Sequence, residues 1–333
     1  MKKVLVLGGT GAMGRYLVPL LLEKNYEIDV IALDKPETVT PHLNYMVGNA
    51  MDDAFLATLL PNHYDAVVDF MSYSLPRFRT RMPLVLGQTG QYVFLSSCRV
   101  YANEEVPVRE TSPRLLDVAT DPEYLALKET EYSLYKATEE NMLRESGHNN
   151  FTIVRPATTY STGRAQLVTL EAASFVYRAL NGKKVVLPRE AMDCEATLSW
   201  GGDVGKMIAA LVLNPQALGE DYIVSTAEHH TWREIAAMYH ELIGLEYEET
   251  DKETYLHCIA NADWYPYAKY QLTLARMFTR ITDNSKILKL AGMKQSELMT
   301  LRDGLKLELG RVTADTIKPD AYINGQMDAF FNK

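Results

Sequence analysis

Runs of apolar residues that do not alternate with polar ones recur along the first half of this chain, and patterns of helical period separate them. The runs are Val4 to Leu7, Ile28 to Leu33, Tyr45 to Gly48, Asp65 to Met71, Tyr92 to Ser96 and Phe151 to Arg155, the last stopped by Pro156. A strand covered on both faces reads this way, because a parallel sheet between two helical layers leaves no wet face for alternate residues. Helices are predicted over Met13 to Lys24, Asp52 to Leu60, Pro76 to Leu86 and, as one long element, Glu123 to Glu145. Between the fifth strand and that helix, Glu104 to Pro122 is rich in Pro, Thr and charge and reads as a surface excursion. Strand and helix alternate, so the pattern predicts an α/β fold built on a doubly wound parallel sheet, with ligands beyond the carboxyl ends of the strands.

The rhythm loosens after Ala157. A helix is predicted from Leu167 to Leu180, a short strand from Val185 to Leu187, a helix from Asp203 to Leu213 returning to the main sheet, and a late strand from Tyr222 to Ser225. Thr231 to Ile243 is amphipathic, with Thr231 as N-cap and Gly244 as stop. The remainder, including Asp283 to Leu288 and Glu297 to Leu309, reads as a smaller, mainly helical lobe. A chain of 333 residues exceeds the size at which one core stops growing. Two units are therefore expected: 1–157 with about 203–226 around the sheet, and 158–202 with 227–333 as a substrate-binding lobe.

The turn after the first strand carries the first chemistry. In Gly8-x-x-Gly11-x-x-Gly14, Gly8 makes the tight turn, Gly11 admits a pyrophosphate close to the backbone, and Gly14 lets the new helix pack on its strand. The helix offers unpaired N–H groups and the positive end of its dipole to an anion. A dinucleotide is the expected occupant. The second run closes on Asp34, twenty positions after Gly14, where a carboxylate accepts both ribose hydroxyls and repels a 2′-phosphate. This favours NAD over NADP, with Arg15 and Lys35 keeping NADP as the lesser alternative.

Composition narrows the partners. A formal net charge of −9 without a cluster of Lys and Arg argues against a nucleic-acid partner. Cys98, Cys194 and Cys258 are an odd, scattered set with no Cys-x-x-Cys pair, and no secretory signal is read at the N-terminus, so a cytoplasmic location is expected. No apolar run approaches the roughly 20 residues of a membrane span, so no membrane partner is expected. His229, His230 and His257 lack the spacing of a zinc site, and no metal is expected.

Tyr132 and Lys136 stand four apart on a predicted helix, which puts both side chains on one face. A phenol is a poor base at neutral pH, but a neighbouring ammonium and a cationic nicotinamide ring favour its ionised form. Such a tyrosine exchanges a proton with a substrate hydroxyl while hydride passes to the cofactor. Ser97, at the end of the fifth strand, is placed to hydrogen-bond the same oxygen, and Lys136 to hold the nicotinamide ribose. The competing reading is an exposed Tyr/Lys pair on a solvated helix face, which a chain with 20 tyrosines can produce by chance.

Taken together, the glycine turn, Asp34, Ser97-x-x-Val-Tyr101, Tyr132-x-x-x-Lys136, Arg155-Pro156, Asp203 and Asp283-x-Ser285-Lys286 resemble the extended short-chain dehydrogenase/reductases, the NAD-dependent epimerase/dehydratase family, over nearly the whole chain. The resemblance implies a Rossmann-type sheet, bound NAD, and a catalytic set of Ser97, Tyr132 and Lys136. It implies Thr10, Ala12 and Met13 along the pyrophosphate, Asn49 and Ala50 at the adenine, and Phe70, Met71 and Ser72 on the cofactor's far side. Pro156, Tyr132 and Lys136 complete the expected cofactor contacts. A homodimer through the long helices, Glu123 to Glu145 among them, is also implied.

The chain departs from the family pattern at Asn49, Met71 and Thr158, where Asp, Ala and Asn are frequent. The Arg that family members place for a sugar-nucleotide diphosphate is absent near Ala196, leaving Arg164, Arg276 or Arg280 as substitutes. Ser96-Ser97-Cys98 lacks the acidic pair of the 4,6-dehydratases, so an epimerase acting on a sugar or nucleotide sugar is expected, with a carbonyl reductase or a non-catalytic cofactor sensor as alternatives. Glu104, Glu105 and Glu195 are lesser candidates for extra acids or bases. Tyr255, Trp264, Tyr265, Tyr267 and Tyr270 form an aromatic-rich stretch that suits a stacking surface or core packing, and Trp200, Trp232 and Cys98 read as structural.

Overall fold

A computed structural model describes residues 1–33 and 40–332. Asp34 and Lys35 lie outside the described residues. The chain opens with β1 (Lys3–Leu7), α1 (Gly14–Glu23), β2 (Glu27–Ala32), β3 (Leu43–Val47), α2 (Asp53–Leu59), β4 (Ala66–Asp69), α3 (Leu75–Leu86) and β5 (Tyr92–Leu95). After a connection come α4 (Leu115–Val118), α5 (Pro122–Ala126), α6 (Tyr132–Glu145) and β6 (Phe151–Arg155).

The main sheet is wholly parallel. Its order is β3, β2, β1, β4, β5, β6 and then the strand Glu220–Ile223. The chain runs outward from β1 to β3, returns to β4 beside β1, and then builds the other half. This reversal leaves a crevice past the carboxyl ends of β1 and β4, where doubly wound sheets bind ligands. The uninterrupted apolar runs have the structural reason expected of them: β1 is buried along Val4 to Leu7 and β6 throughout.

One core under the sheet joins β1, β2 and α1 to the helix Gly201–Leu211 and to Ile287 and Leu288. The opposite face is packed by Leu56, Phe78, Val85 and Leu143 from α2, α3 and α6. The largest core lies in the later part of the chain. It gathers Leu167, Phe175, Val186, Trp232, Tyr239, Tyr255 and Leu305, and contains no residue of β1 to β6.

Three expected elements differ. The helix expected over Glu123 to Glu145 is two helices, α5 and α6, parted at Leu127 to Glu131. Glu131 has extended backbone and its carboxylate accepts hydrogen bonds from the N–H groups of Ser133 (2.8 Å) and Leu134 (3.2 Å), so a new helix starts at Tyr132. The helix expected over Leu167 to Leu180 is a tight antiparallel pair, Gln166–Leu167 with Leu170–Glu171, followed by a helix only from Phe175 to Leu180. Val168 takes a positive φ of 52° in that turn, which no helix allows. The excursion from Glu104 to Pro122 is also less superficial than its composition suggests. Val108, Ser112 and Leu115 are buried, and the Glu110 carboxylate accepts from the N–H of Ile223 at 2.9 Å.

The predicted stop and start around Thr231 to Gly244 are observed. Thr231 forms a reciprocal capping box with Glu234, and Gly244 closes the helix with φ of 70°.

Candidate active site

The glycine turn and the helix beyond it form one wall of the crevice. Gly8 has a positive φ of 76°, and a Cβ at Gly14 would stand 2.5–2.6 Å from the backbone of Gly9, closer than any side chain tolerates. Glycine at 14 is thus what lets α1 begin directly against the turn. Among the described residues no side chain caps the start of α1 and its first turn holds no acid, which leaves its positive end facing the crevice.

Ten of the residues expected to hold the cofactor line this cleft of about 320 Å³: Gly8, Thr10, Gly11, Ala12, Met13, Gly14, Asn49, Ala50, Phe70 and Met71. Leu95, Ala32 and Leu33 complete much of the wall. The buried carboxylate of Asp69 fixes the Phe70–Met71 segment, accepting from the Met71 N–H (3.0 Å) and from the hydroxyls of Tyr73 and Tyr92. Burial raises the pKa of Asp69, against the pull of Arg81. Shape and chemistry fit a dinucleotide: an apolar slot for a planar ring, a glycine turn and an uncapped helix start for its phosphates.

A second cavity of about 240 Å³ holds Ser97 and Tyr132 together. Ser97 follows β5, where its hydroxyl accepts from the Arg99 N–H at 3.1 Å and so opens the short turn Cys98–Val100. Tyr132 comes from the first turn of α6. Arg164 lines both cavities, so the cleft of the glycine turn and the cavity of Ser97 and Tyr132 adjoin at this residue. The Arg99 guanidinium lies over the Tyr132 ring, 4.9 Å from its centroid, and donates to Glu131 at 2.9 Å.

Lys136 sits one turn further along α6 and lines neither cavity. It is fully buried, with its ammonium 2.9 Å from Glu139 and 4.6 Å from the centroid of Phe94. Burial pushes the Glu139 carboxyl up to about 7, with Lys136 pulling against it. Ser72 also lies outside the first cleft and shares a hydrogen bond of 2.9 Å with Tyr135. The carbonyl of Pro156 accepts from the Cys98 N–H at 2.9 Å, holding the turn that carries Ser97.

A buried ionic network braces the same region from behind. Arg155 reaches Glu140 through two bonds of 2.7 Å and donates to the Tyr101 hydroxyl at 2.6 Å, while Ser96 donates to Glu140 at 2.6 Å. Burial opposes ionisation of Glu140, but Arg155 outweighs it and holds the carboxyl down to about 2. Cys98 is a buried packing residue, and burial pushes its thiol up to about 12.

Arg276 and Arg280, far away in sequence, complete the second cavity with Gln166, Glu171 and Gln271. Trp232 is structural as expected, its indole donating to the Arg276 carbonyl at 3.0 Å, and Trp200 donates to Glu308 at 2.6 Å. Of the aromatic stretch, Tyr255 and Tyr270 are buried, whereas Trp264 and Tyr267 line a third cavity of about 420 Å³ that shares Arg99 and Tyr132 with the second. Sequence reasoning missed Arg99 over Tyr132 and Glu139 under Lys136. Their spacing, two residues after Ser97 and three after Lys136, was the available signal.

A doubly wound sheet with a glycine turn at its switch point, and a serine and a tyrosine sharing the crevice beyond, defines an enzyme of the dinucleotide-dependent class. Residues 4–225 match the model of the NAD dependent epimerase/dehydratase family, and the chain belongs to that family. A search of curated protein sequences returns no significant match. Among solved structures, the chain is similar to a UDP-glucose 4-epimerase of Thermus thermophilus in complex with NAD, at 19% identity over 96% of this chain and 100% of that one, with a TM-score of 0.67. It is similar to a dTDP-glucose 4,6-dehydratase of Bacillus anthracis in complex with NAD, at 17% identity over 93% and 96%, TM-score 0.68. It is also similar to a UDP-glucuronic acid 4-epimerase of Bacillus cereus in complex with UDP-glucuronic acid and NAD, at 15% identity over 95% and 99%, TM-score 0.65. Identities this low speak for the fold alone.

Proposed function

We propose that this enzyme is an NAD-dependent oxidoreductase acting on a sugar or nucleotide-sugar hydroxyl, and that it works as an epimerase with Tyr132 as acid and base. The carrying observation is that Ser97 and Tyr132 share a cavity that has the wall residue Arg164 in common with the cleft of the glycine turn. NAD, when bound, supplies an acceptor and donor of hydride; NADP is the lesser candidate. Gly8, Thr10, Gly11, Ala12, Met13 and Gly14 would hold its phosphates, Asn49 and Ala50 its adenine, and Phe70 and Met71 its far side. Asp34 would take the adenosine ribose.

The chain's own groups handle the proton. The Tyr132 hydroxyl takes it from a substrate hydroxyl and returns it, Ser97 steadies the same oxygen by a hydrogen bond, and the ammonium of Lys136, one turn on in α6, favours the ionised phenol. In this reading residues 1–157 with about 203–226 serve the cofactor, and 158–202 with 227–333 serve the substrate. A cytoplasmic homodimer belongs to the same proposal. NAD-bound neighbours with sugar-nucleotide activities in their names support it.

The test is turnover on a panel of sugars and sugar nucleotides with cofactor retained through purification. An epimerase interconverts its substrates with no net change in nicotinamide absorbance. Net consumption of NAD(P)H identifies a reductase instead. A cofactor sensor is favoured by one observation, the engagement of Lys136 with Glu139 in the core. That reading requires NAD to raise the melting temperature while no member of the panel turns over.

A further inference from the structure

The cavity that holds Ser97 and Tyr132 is lined by Arg99, Arg164, Arg276 and Arg280 against one carboxylate, Glu171. In a chain of net charge −9, this concentration of positive charge is local and built. Arg276 and Arg280 are only 8% and 9% exposed, and among the described residues neither forms an ion pair. Their hydrogen bonds go to neutral acceptors. Arg276 donates to the Val168 carbonyl (2.8 Å) and the Gln166 amide oxygen (3.0 Å), and Arg280 to the carbonyls of Tyr101 (3.0 Å) and Ala102 (3.3 Å). Such bonds orient the guanidinium planes without neutralising them. Glu171, which also accepts from the side chain of Gln166, is the one carboxylate lining the cavity and only partly offsets the charge of Arg276. Arg99 is paired with Glu131, yet its buried Nε has no partner among the described residues.

Local backbone geometry supports a functional placement. Arg276 ends a π-helical turn, Leu272–Arg276, whose Met277 N–H reaches back to the Leu272 carbonyl at 2.9 Å, and Trp232 pins the Arg276 carbonyl. Turns of this kind are rare and recur at functional sites. Burial and the neighbouring Arg99 pull Arg276 down to about 9, and burial pulls Arg280 down to about 10, so both are cations at neutral pH. Buried cations without an ion-pair partner are costly to keep, and an anion arriving with the substrate relieves that cost.

We infer that the substrate carries an anionic oxygen group, a carboxylate or a phosphate monoester, close to the carbon on which Ser97 and Tyr132 act, and that Arg276 and Arg280 receive it. This rests on the reading of Ser97 and Tyr132 as the reacting site. It places the charge beside the reacting carbon, not at the far end of a nucleotide.

The test is calorimetric titration of the NAD-loaded protein at low salt with D-glucuronate, D-glucose 6-phosphate, D-glucose and UDP. Binding of glucuronate or of glucose 6-phosphate at least about tenfold tighter than glucose is expected, and whichever of the two binds tighter names the anion. Arg276→Gln and Arg280→Gln should each abolish that preference while leaving NAD and glucose affinity within about threefold. Arg276→Lys, which keeps the charge and a donor toward Val168, should retain part of the preference and guards against a folding defect in the Gln variant. The inference is overturned if glucose binds as tightly as both anions, or if the preference survives in folded Arg276→Gln and Arg280→Gln. It is overturned too if UDP alone binds in an Arg276-dependent way and displaces the charged sugars. A Tyr132→Phe variant that kept full turnover would sink the acid–base role and leave this binding preference standing, so the two failures are distinguishable.

Discussion

The ammonium of Lys136 lies 2.9 Å from the carboxylate of Glu139, one turn along α6, and both side chains are fully buried. The pair is held between Phe94 of β5 and the Tyr135 ring, beneath the wall that carries Tyr132. Removing one partner strands the other charge. Lys136→Met and Glu139→Leu, each leaving one buried group without its partner, are therefore expected to destabilise the fold more than the double variant that removes both groups. Urea denaturation of the two single variants and the double variant checks this, and additive losses would contradict it.

Stability should depend on pH through two adjacent glutamates with opposite signs. Glu139, raised to about 7 by burial against the pull of Lys136, favours its protonated form in the folded protein. Its contribution is complete below about pH 4.5 and is lost as pH rises through 7. Glu140, where Arg155 overcomes burial and holds the carboxyl down to about 2, contributes above about pH 4.5 and loses that contribution as pH falls towards 2. Melting temperatures from pH 3 to 8 should show a decline on both sides. Glu139→Gln should flatten the neutral limb only, and Glu140→Gln the acid limb only.

Glu131 begins α6 and also holds Arg99 over the Tyr132 ring. Glu131→Ala should lose the cap at a cost of about 0.5–2 kcal/mol and loosen Tyr132 in the first turn. A fall in kcat with KM little changed, beside a modest drop in melting temperature, is the expected pattern. Unchanged kcat would show that the cap does not position the tyrosine.

How much of this was legible beforehand differs from element to element. The strands β1, β2, β4, β5 and β6 announce themselves as apolar runs without alternation, and the glycine turn marks the crevice, because burial on both faces and close backbone packing both leave local traces in sequence. The break between α5 and α6 leaves none. Ala126 to Glu131 holds neither Pro nor Gly and consists, Thr130 apart, of good helix formers, and the residue that restarts the helix is a glutamate, not the usual Ser, Thr, Asp or Asn. The hairpin near Val168 was hidden for a similar reason, since a positive φ at valine has no compositional signal. Arg276 and Arg280 share a cavity with Tyr132 across more than a hundred residues of chain, by way of a π-helical turn. Only the tertiary fold brings them there.

Gly14→Ala tests the crevice wall. The added Cβ would meet the backbone of Gly9 at 2.5–2.6 Å, and neither α1 nor the turn can yield without opening the sheet–helix contact. The variant is expected to melt at lower temperature and to lose most of the melting-temperature increase that NAD gives the parent protein. An undiminished increase would contradict the placement of a dinucleotide over this turn.

The central claim is that the Tyr132 hydroxyl carries the proton at the reacting carbon. The most direct measurement is the turnover of Tyr132→Phe beside the parent protein on the substrate that the sugar panel identifies, with NAD binding measured in parallel. A loss of about a hundredfold or more in kcat, with KM and the NAD-induced rise in melting temperature little changed, is the predicted result. A loss of less than about tenfold would contradict it.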